Sequence, residues 1–239
     1  VWADQVRGDA SYNYIKPWHY VTVPDGVTYN KSKKNPSGDV IAKTVEIIKE
    51  LAGPKKEGLS QADRRLYVRL LTHFIGDLHQ PLHVSSDKDL GGNICYVRFF
   101  GAVVNLHSLW DTRMLVKEAD VLSLTEEIDT PERNKEVATK AKNRTSVLSW
   151  AEESQDYRDS VYPPPVSRAY CQAQIAKKMF GEQEGDDHHH SDEEVAYFSI
   201  WSEASETLLA PVAMPEISET YQEKHLPQSY NRILLAGIR

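Results

Sequence analysis

One stretch decides how this sequence is interpreted: Leu71-Thr72-His73-Phe74-Ile75-Gly76-Asp77-Leu78-His79-Gln80-Pro81-Leu82-His83. His73 and Asp77 are four residues apart, so on a helix their side chains leave the same face one turn apart. Pro81 ends that helix, because proline has no N–H and its ring clashes with the preceding turn. His83 follows where the chain can turn back over the same face. The stretch therefore predicts a helix that carries a polar site.

A second stretch repeats this geometry: Asn105-Leu106-His107-Ser108-Leu109-Trp110-Asp111. His107 and Asp111 again stand four residues apart, and apolar residues flank both pairs, which favours a partly buried site. A single histidine on an apolar face is more typical of a satisfied core residue. Two such pairs together predict a metal centre. Imidazole and carboxylate groups without a thiolate suit Zn²⁺ and other borderline divalent ions.

The pattern of the remaining chain is mostly helical. Asp39 is placed to cap a helix that Gly53-Pro54 ends, and Ser60 is placed to start the helix that carries His73. Residues 94–104 are β-branched and aromatic around a glycine, which is typical of a short hairpin. Further helices are predicted from near Leu106 and over 131–156, 167–179, 195–209 and 228–238, with an exposed acidic loop over 181–194. The sequence predicts a mainly α protein, a single domain over residues 1–239 with a short β-hairpin.

Composition narrows the classes of function. The 239 residues carry a formal net charge of -7 and are 40% hydrophobic, which is typical of a soluble globular protein. No apolar run approaches the ~20 residues of a membrane span. Binding of nucleic acid by surface charge rests on Lys and Arg that neutralise phosphates. An acidic chain that handles phosphates needs another source of positive charge, and bound metal ions are one.

Several motifs, in this order, resemble the zinc-dependent S1/P1 nuclease family: Trp2-Ala3-Asp4-Gln5-Val6-Arg7, Trp18-His19-Tyr20-Val21, the stretch from His73 to His83, Gly91-Gly92-Asn93, Phe99-Phe100-Gly101 and the stretch from Asn105 to Asp111. Later echoes are Trp150-Ala151-Glu152-Glu153-Ser154 and Leu235-Ala236-Gly237-Ile238-Arg239. The resemblance extends over nearly the whole chain. It implies a helical domain of the zinc phospholipase C/P1 nuclease type and a zinc-dependent endonuclease. The implied substrates are single-stranded DNA or RNA, cleaved to 5′-phosphate products, and 3′-nucleotides through a 3′-nucleotidase activity.

The resemblance also implies two sets of zinc ligands. The first set is Asp4, His19, His73 and Asp77. The second set is His83, His107 and Asp111. Asp77 would bridge to a third zinc, whose other ligands lie in an N-terminal segment that we expect this chain to lack, together with the last C-terminal turns. Three zinc ions are expected in the complete protein. The resemblance also implies that His79 lies behind the zinc ligands and supports them.

The family pattern gives roles to residues beside the ligands. Asp4 is expected to orient the attacking water for in-line attack on phosphorus. Arg7 is expected to steady a phosphate oxygen, and its alternative role is an ion pair with a carboxylate of the site. Tyr20 and Asn93 are candidates for contacting a nucleobase, by stacking and by hydrogen bonding. Their alternatives are core packing and turn formation.

Two other functions stay open on sequence alone: a zinc-dependent phospholipase C and a non-catalytic zinc-binding paralogue. The loops are polar, and Asp111 stands where the lipase branch has Glu, so the nuclease is favoured over the lipase. The complete internal ligand set argues against a degenerate paralogue. The run His188-His189-His190 fits a solvated acidic loop better than a metal site.

Cysteine and sequon content bears on the compartment. Cys95 and Cys171 form either one disulfide or two buried thiols. Asn30 and Asn143 each begin an Asn-x-Ser/Thr sequon and are candidates for glycosylation. We expect a secreted or extracytoplasmic protein, although no signal peptide is visible in this chain, and we expect a monomer.

Overall fold

The computed structural model describes residues 2–86, 89–116, 130–162, 171, 215–217 and 219–239, without the side chains of residues 7, 55 and 116. The α-helices are α1 Trp2–Gln5, α2 Val40–Ala52, α3 Gln61–His79, α4 Leu106–Ser108, α5 Met114–Val116, α6 Pro131–Asn143, α7 Val147–Arg158 and α8 Glu219–Ile238. The strands are β1 Val21–Thr22, β2 Val84–Ser85, β3 Tyr96–Phe99, β4 Ala102–Asn105 and β5 Glu216–Ile217. Short 3₁₀ segments are Val6–Gly8, Ala10–His19, Tyr29–Lys31, Pro54–Gly58, Pro81–His83 and Asp159–Val161, and Leu109–Arg113 is a π-helical turn. The predicted mainly α fold is confirmed.

Helix α2 begins and ends at the residues that the sequence predicts. The Asp39 carboxylate accepts hydrogen bonds from the backbone N–H groups of Ile41 and Ala42, which satisfies two amides left free at the helix start. The N–H of Gly53 bonds the carbonyl of Lys49 at the other end. A Cβ at Gly53 would lie 2.3 Å from that carbonyl oxygen, so only glycine fits there.

Helix α3 carries His73 and Asp77, the first pair of candidate metal ligands. The Ser60 hydroxyl accepts from the backbone N–H of Asp63, and the last turn closes at Gln80, directly before Pro81. Leu70, Phe74 and Leu78 are buried on its inner face. The helix packs against α2, α7 and α8, so it is the central element of the fold and a rigid support for side chains.

Two small sheets bring distant segments together. Strands β1 and β2 run parallel with Val21 opposite Val84, which brings the chain after His19 beside the chain after His83. The predicted hairpin is confirmed as β3 and β4, and β5 joins β3 in parallel. The two residues in the turn of the β3–β4 hairpin, Phe100 and Gly101, both have positive φ, as a tight turn of this kind requires.

Two predicted helices have different bounds in the structure. The single helix predicted over 131–156 is wrong: α6 ends at Asn143 and α7 begins at Val147, because Ser146 and Ser149 form a reciprocal capping box. The helix predicted over 228–238 is too short at its start, since α8 begins at Glu219. The helices predicted over 167–179 and 195–209, and the loop over 181–194, lie outside the described residues.

The remaining sequence expectations about the frame are settled in part. Cys95 and Cys171 form a disulfide, with Cα atoms 4.7 Å apart. Within the described ranges, no helix is both long and apolar enough to cross a bilayer. The buried apolar residues form two large clusters, one around α2, α3 and α7 and one around the hairpin and the disulfide, besides a small one of Val137, Ala141 and Leu235. The candidate ligands lie where the two large clusters meet.

Candidate metal centre

The first group of candidate ligands consists of Asp4, His19, His73 and Asp77. The Nδ1 atom of His19 lies 3.0 Å from Nε2 of His73. Oδ2 of Asp77 lies 3.1 Å from His19 Nδ1 and 3.2 Å from His73 Nε2. Oδ1 of Asp4 lies 3.4 Å from His73 Nε2 and 3.8 Å from His19 Nδ1. Ligands about 2.1 Å from one tetrahedral ion lie about 3.4 Å apart. Asp4, His19 and His73 can therefore hold one ion, and Asp77 lies close enough to both histidines to join them.

The second group consists of His83, His107 and Asp111. Nε2 of His83 lies 3.3 Å from Oδ1 of Asp111, and Nε2 of His107 lies 3.3 Å from Oδ2. The two imidazole rings stack with centroids 4.8 Å apart. The other ring nitrogen of His107 bonds the carbonyl of Gly91, which leaves Nε2 as the nitrogen that faces the group. These three residues can also hold one ion.

Asp77 stands between the two groups. Its Oδ2 faces His19 and His73, whereas its Oδ1 lies 3.1 Å from Nδ1 of His83. The side chain is 8% exposed, so its carboxylate is turned inward toward these three histidines. One carboxylate thus joins two ligand sets that come from separate parts of the chain.

The carboxylates shift the pKa values of the first group. Burial opposes a charge on His73, but its hydrogen bonds to Asp4 and Asp77 and their negative charges outweigh burial and raise the pKa of His73 to about 9. Burial also disfavours the charge of Asp77, yet the His83 charge and the hydrogen bonds from the surrounding imidazoles hold the pKa of that carboxyl well below its usual value. Burial alone would raise the pKa of Asp4, but the hydrogen bond and the charge of His73 outweigh burial and lower this pKa.

The second group shows the same balance. Burial opposes protonation of His83, but the charges of Asp77 and Asp111 raise the pKa of His83 to about 10. Burial lowers the pKa of His107 despite the nearby Asp111 charge. The pKa of Asp111 is depressed because the His83 charge outweighs the cost of burial. Both groups thus hold ionised carboxylates whose charge either protons on the histidines or divalent cations can balance.

Gln80 contacts the second group, and this contact was not predicted from the sequence. Its Nε2 donates to Oδ1 of Asp111 at 2.7 Å, and its Oε1 accepts from the backbone N–H of Leu82. Gln80 therefore both caps the 3₁₀ turn that presents His83 and orients a carboxylate of the second group. Its place directly before Pro81 is the available sequence signal, because the residue before such a turn is its capping position.

His79 faces away from both groups. Its Nδ1 donates to the carbonyl of Ile75, and its Nε2 accepts from Arg239 at 2.8 Å. Burial, with the nearby charge of Arg232, lowers the pKa of His79 to about 3, so the ring is neutral. Glu153 lies beside both arginines, 2.7 Å from Arg239 and 3.3 Å from Arg232. The network that contains His79 therefore joins α3, α7 and α8 behind the candidate ligands.

The other predicted site residues are distributed as follows. Arg7 lies in the 3₁₀ turn Val6–Gly8, and its side chain lies outside the described part of the chain. Tyr20 is half-buried directly after His19. Asn93 is exposed, and its side-chain amide donates to the carbonyl of Leu90, which is the contact expected for turn formation. The candidate glycosylation sites Asn30 and Asn143 are both exposed.

A cavity of about 490 Å³ opens onto the first group. Its lining residues are Trp2, Ala3, Val68, Arg69, Thr72, His73, Gly76 and Asp77. The guanidinium of Arg69 lies 5.2 Å from the centre of the Trp2 ring, so a positive charge and an aromatic face both border the ligands. The cavity gives a solute access to His73 and Asp77.

The donor set fits divalent metal ions. Both ring nitrogens of His83 are buried and lack a well-directed hydrogen bond, although carboxylate oxygens lie within 3.3 Å of them. Burial without such a bond is costly for a polar nitrogen unless another partner, such as a cation, takes its lone pair. Fold and site together define a mainly helical protein with two adjacent groups of nitrogen and oxygen ligands that could hold metal ions and that are joined by a carboxylate.

Comparison with known proteins agrees with this class. The sequence profile of the S1/P1 Nuclease family matches residues 1–239, and the chain belongs to that family. It is 36% identical over 130 residues to Endonuclease 2 of Arabidopsis thaliana, a match that covers 51% of this chain and 44% of that protein. It is 28% identical over 130 residues to Nuclease S1 of Aspergillus oryzae, a match that covers 52% of this chain and 43% of that protein. It is 31% identical over 115 residues to Nuclease P1 of Penicillium citrinum, a match that covers 47% of this chain and 42% of that protein. The matched stretch is less than half the length of each of these relatives.

Proposed function

We propose that this protein is a zinc-dependent nuclease that hydrolyses phosphodiester bonds of single-stranded DNA or RNA and leaves 5′-phosphates. Asp4, His19, His73 and Asp77 would hold one zinc, and His83, His107 and Asp111 a second. Its family and the relatives named nuclease or endonuclease support the class of reaction. The adjacent ligand groups support its dependence on metal.

The position of Asp77 is the observation that carries the proposal. Its two oxygens face different ligand groups, so ions held by the two groups would be neighbours that share one carboxylate. Adjacent divalent ions suit an in-line displacement at phosphorus, because they stabilise both the attacking and the leaving oxygen. Two unrelated structural metal sites would not need a shared and buried carboxylate.

Exposure separates the roles of the two aspartates in the first group. When bound, the ions supply the positive charge that phosphate needs and lower the pKa of a coordinated water. Asp4 is 49% exposed, whereas Asp77 is 8% exposed. Asp4 can therefore accept a hydrogen bond from a water that enters from solvent and orient that water toward phosphorus. Arg7, one turn further along the chain, would steady a phosphate oxygen.

The finer expectations from the family belong to the same proposal. A third zinc would also contact Asp77, and 3′-nucleotidase activity would be the same hydrolysis at a terminal phosphate. Tyr20, half-buried beside His19, would stack on a base. Asn93, which lies in a turn, would hydrogen-bond to a base. We propose a single-domain, monomeric, secreted protein, for which the disulfide between Cys95 and Cys171 is suitable.

The test of this proposal compares Asp77→Asn with Asp156→Asn. Asp156 is an exposed carboxylate on α7 that pairs with Arg144 at the surface, so its loss should change nothing at the centre. We expect the wild-type protein to cleave a labelled single-stranded oligonucleotide, and Asp77→Asn to lose both bound zinc and activity. Full zinc content and activity in Asp77→Asn would overturn the shared-carboxylate proposal. Hydrolysis of phosphatidylcholine micelles without cleavage of the oligonucleotide would assign the protein to the lipase class instead.

A second variant separates phosphate stabilisation from metal binding. Arg7→Ala should keep its zinc content while kcat falls at least ~100-fold, as expected for loss of a positioned charge that stabilises the transition state. An unchanged kcat would remove Arg7 from the mechanism. Loss of zinc together with activity would instead indicate the alternative role, in which Arg7 pairs with a carboxylate of the site.

A further inference from the structure

A row of aromatic rings leads away from the cavity at the first ligand group. Trp2 lines that cavity and packs edge-on against Tyr12, with ring centroids 5.6 Å apart. Tyr12 stacks on Tyr14 at 6.4 Å, and Tyr14 packs against Trp18 at 5.2 Å. These four side chains, which we call the aromatic strip, form a continuous path from the candidate metal centre to the surface.

The outer part of the aromatic strip is open to solvent. Tyr14 is 48% exposed, and Tyr12 and Trp18 are half-buried. The indole N–H of Trp18 donates to the carbonyl of Ser37, which fixes the loop before α2 beside the strip. Rings aligned within one short 3₁₀ segment and left accessible can offer stacking faces to a flat solute.

The flank of the aromatic strip is basic, in contrast to the rest of the chain. Residues 10–45 have a net charge of +3, because they contain two acids and the five lysines Lys16, Lys31, Lys33, Lys34 and Lys43, whereas the whole chain carries -7. Both acids are engaged elsewhere: Asp39 caps α2, and Asp25 pairs with Arg158. Lys43 Nζ lies 4.5 Å from the centre of the Trp18 ring and also pairs with Glu46 at 2.8 Å. The positive charge open to a ligand is therefore that of Lys31 and Lys33, which are exposed on the adjoining loop.

We propose that the aromatic strip and its lysines bind single-stranded nucleic acid and guide it toward the first metal group. Exposed rings beside a basic groove are how single strands are held without sequence preference, since bases stack on the rings and lysines contact the phosphates. A duplex keeps its bases stacked on one another and cannot use the rings in this way. This proposal rests on the proposed nuclease function and adds a strand-binding surface outside the metal centre.

The decisive experiment compares a long and a short substrate. A single strand of about 12 nucleotides falls in the usual range of single-strand site sizes and can occupy the strip, whereas a dinucleoside monophosphate can occupy only the metal centre. We expect Tyr14→Ala to lower kcat/KM about fivefold or more on the long strand, the lower limit for one lost base stack. The short substrate should be cleaved at an unchanged kcat/KM. Tyr14→Phe keeps the ring and should behave as wild type on both.

The lysines are tested through the salt dependence of binding. Affinity of the zinc-loaded protein for a fluorescent 12-nucleotide strand with cleavage-resistant phosphorothioate linkages is measured by anisotropy over a range of salt concentrations. Lys31→Ala/Lys33→Ala should reduce the slope of log affinity against log salt by about 1.4, since each lost phosphate contact contributes about 0.7. The matched control is Lys135→Ala/Lys142→Ala, which removes two exposed lysines from α6 and should leave the slope unchanged.

The outcomes separate this proposal from the proposed function. Equal losses on the long and short substrates, or equal slopes for both lysine pairs, overturn the strand-binding role of the strip. A wild-type protein that cleaves neither substrate overturns the nuclease proposal, and the anisotropy measurement alone then decides whether the strip binds single strands.

Discussion

Glu153 offers a sharp test of what holds the elements behind the metal centre together. This carboxylate on α7 lies 2.7 Å from the guanidinium of Arg239 and 3.3 Å from that of Arg232, which is on α8. The two arginine side chains are 2% and 4% exposed, and the glutamate is 16% exposed. We expect Glu153→Gln to destabilise the fold, because it removes the carboxylate charge that faces two buried cations.

The size of the effect follows from burial. Removal of one partner from a buried ion pair costs about 3–5 kcal/mol, and the partial exposure of Glu153 places this case at the lower end, about 3 kcal/mol. In a protein of this length, 1 kcal/mol changes Tm by about 2–4 °C. Glu153→Gln should therefore lower Tm by about 6–12 °C.

The matched control is the preceding residue, Glu152, which is exposed on the same helix. Glu152→Gln should change the free energy of unfolding by no more than about 0.5 kcal/mol. Both variants are compared by calorimetry at the same free zinc concentration, so that ion binding does not enter the difference. A Tm for Glu153→Gln within about 1 °C of the control would refute the reasoning that this charge cluster anchors α8.

Three further predictions concern the frame around the ligands. Replacement of Cys95 and Cys171 by serine should lower the free energy of unfolding by about 4 kcal/mol, because the disulfide closes a loop with a sequence separation of 76, and urea titration measures the loss. Gly91→Ala should be destabilising and should reduce zinc occupancy, since Gly91 has a φ of +64° and its Cβ would lie 2.6 Å from a backbone oxygen. Gly76→Ala is the comparison in zinc titration and thermal unfolding: its space is open and it lies within α3, so it should keep zinc occupancy and leave Tm unchanged or slightly raised. Gln80→Ala should weaken zinc binding about 10–100-fold by releasing a candidate ligand carboxylate, and a competitive chelator assay that finds unchanged affinity would contradict this role.

Local chemistry accounts for what could be predicted from the sequence. The spacing of four residues that joins His73 to Asp77 is a property of one helix, and so is the capping by Asp39 or Ser60. The hairpin around Gly101 likewise depends on residues close in sequence. Features of this kind can be found without knowing how the chain packs.

The missed features depend on contacts between distant residues or on a choice between close alternatives. Gln80 reaches Asp111, 31 residues away, and nothing in the local pattern marks that bond. The helix break before Val147 was missed because the charged residues on both sides are good helix formers, while the serine capping box decides the boundary. The basic character of residues 10–45, beside the aromatic strip, was likewise missed, because the net charge of the whole chain is negative.

The two ligand groups draw on segments far apart in the chain, from Asp4 to His19, from His73 to His83, and from His107 to Asp111. An unfolded chain holds these segments apart, so any ion that the groups bind favours the folded form. Above saturation, each tenfold rise in free ion adds about 1.4 kcal/mol per site to the free energy of unfolding. The durability of this protein would then be a property of its surroundings as much as of its sequence: the same molecule would persist in a zinc-rich medium and be lost to proteolysis in a zinc-poor one.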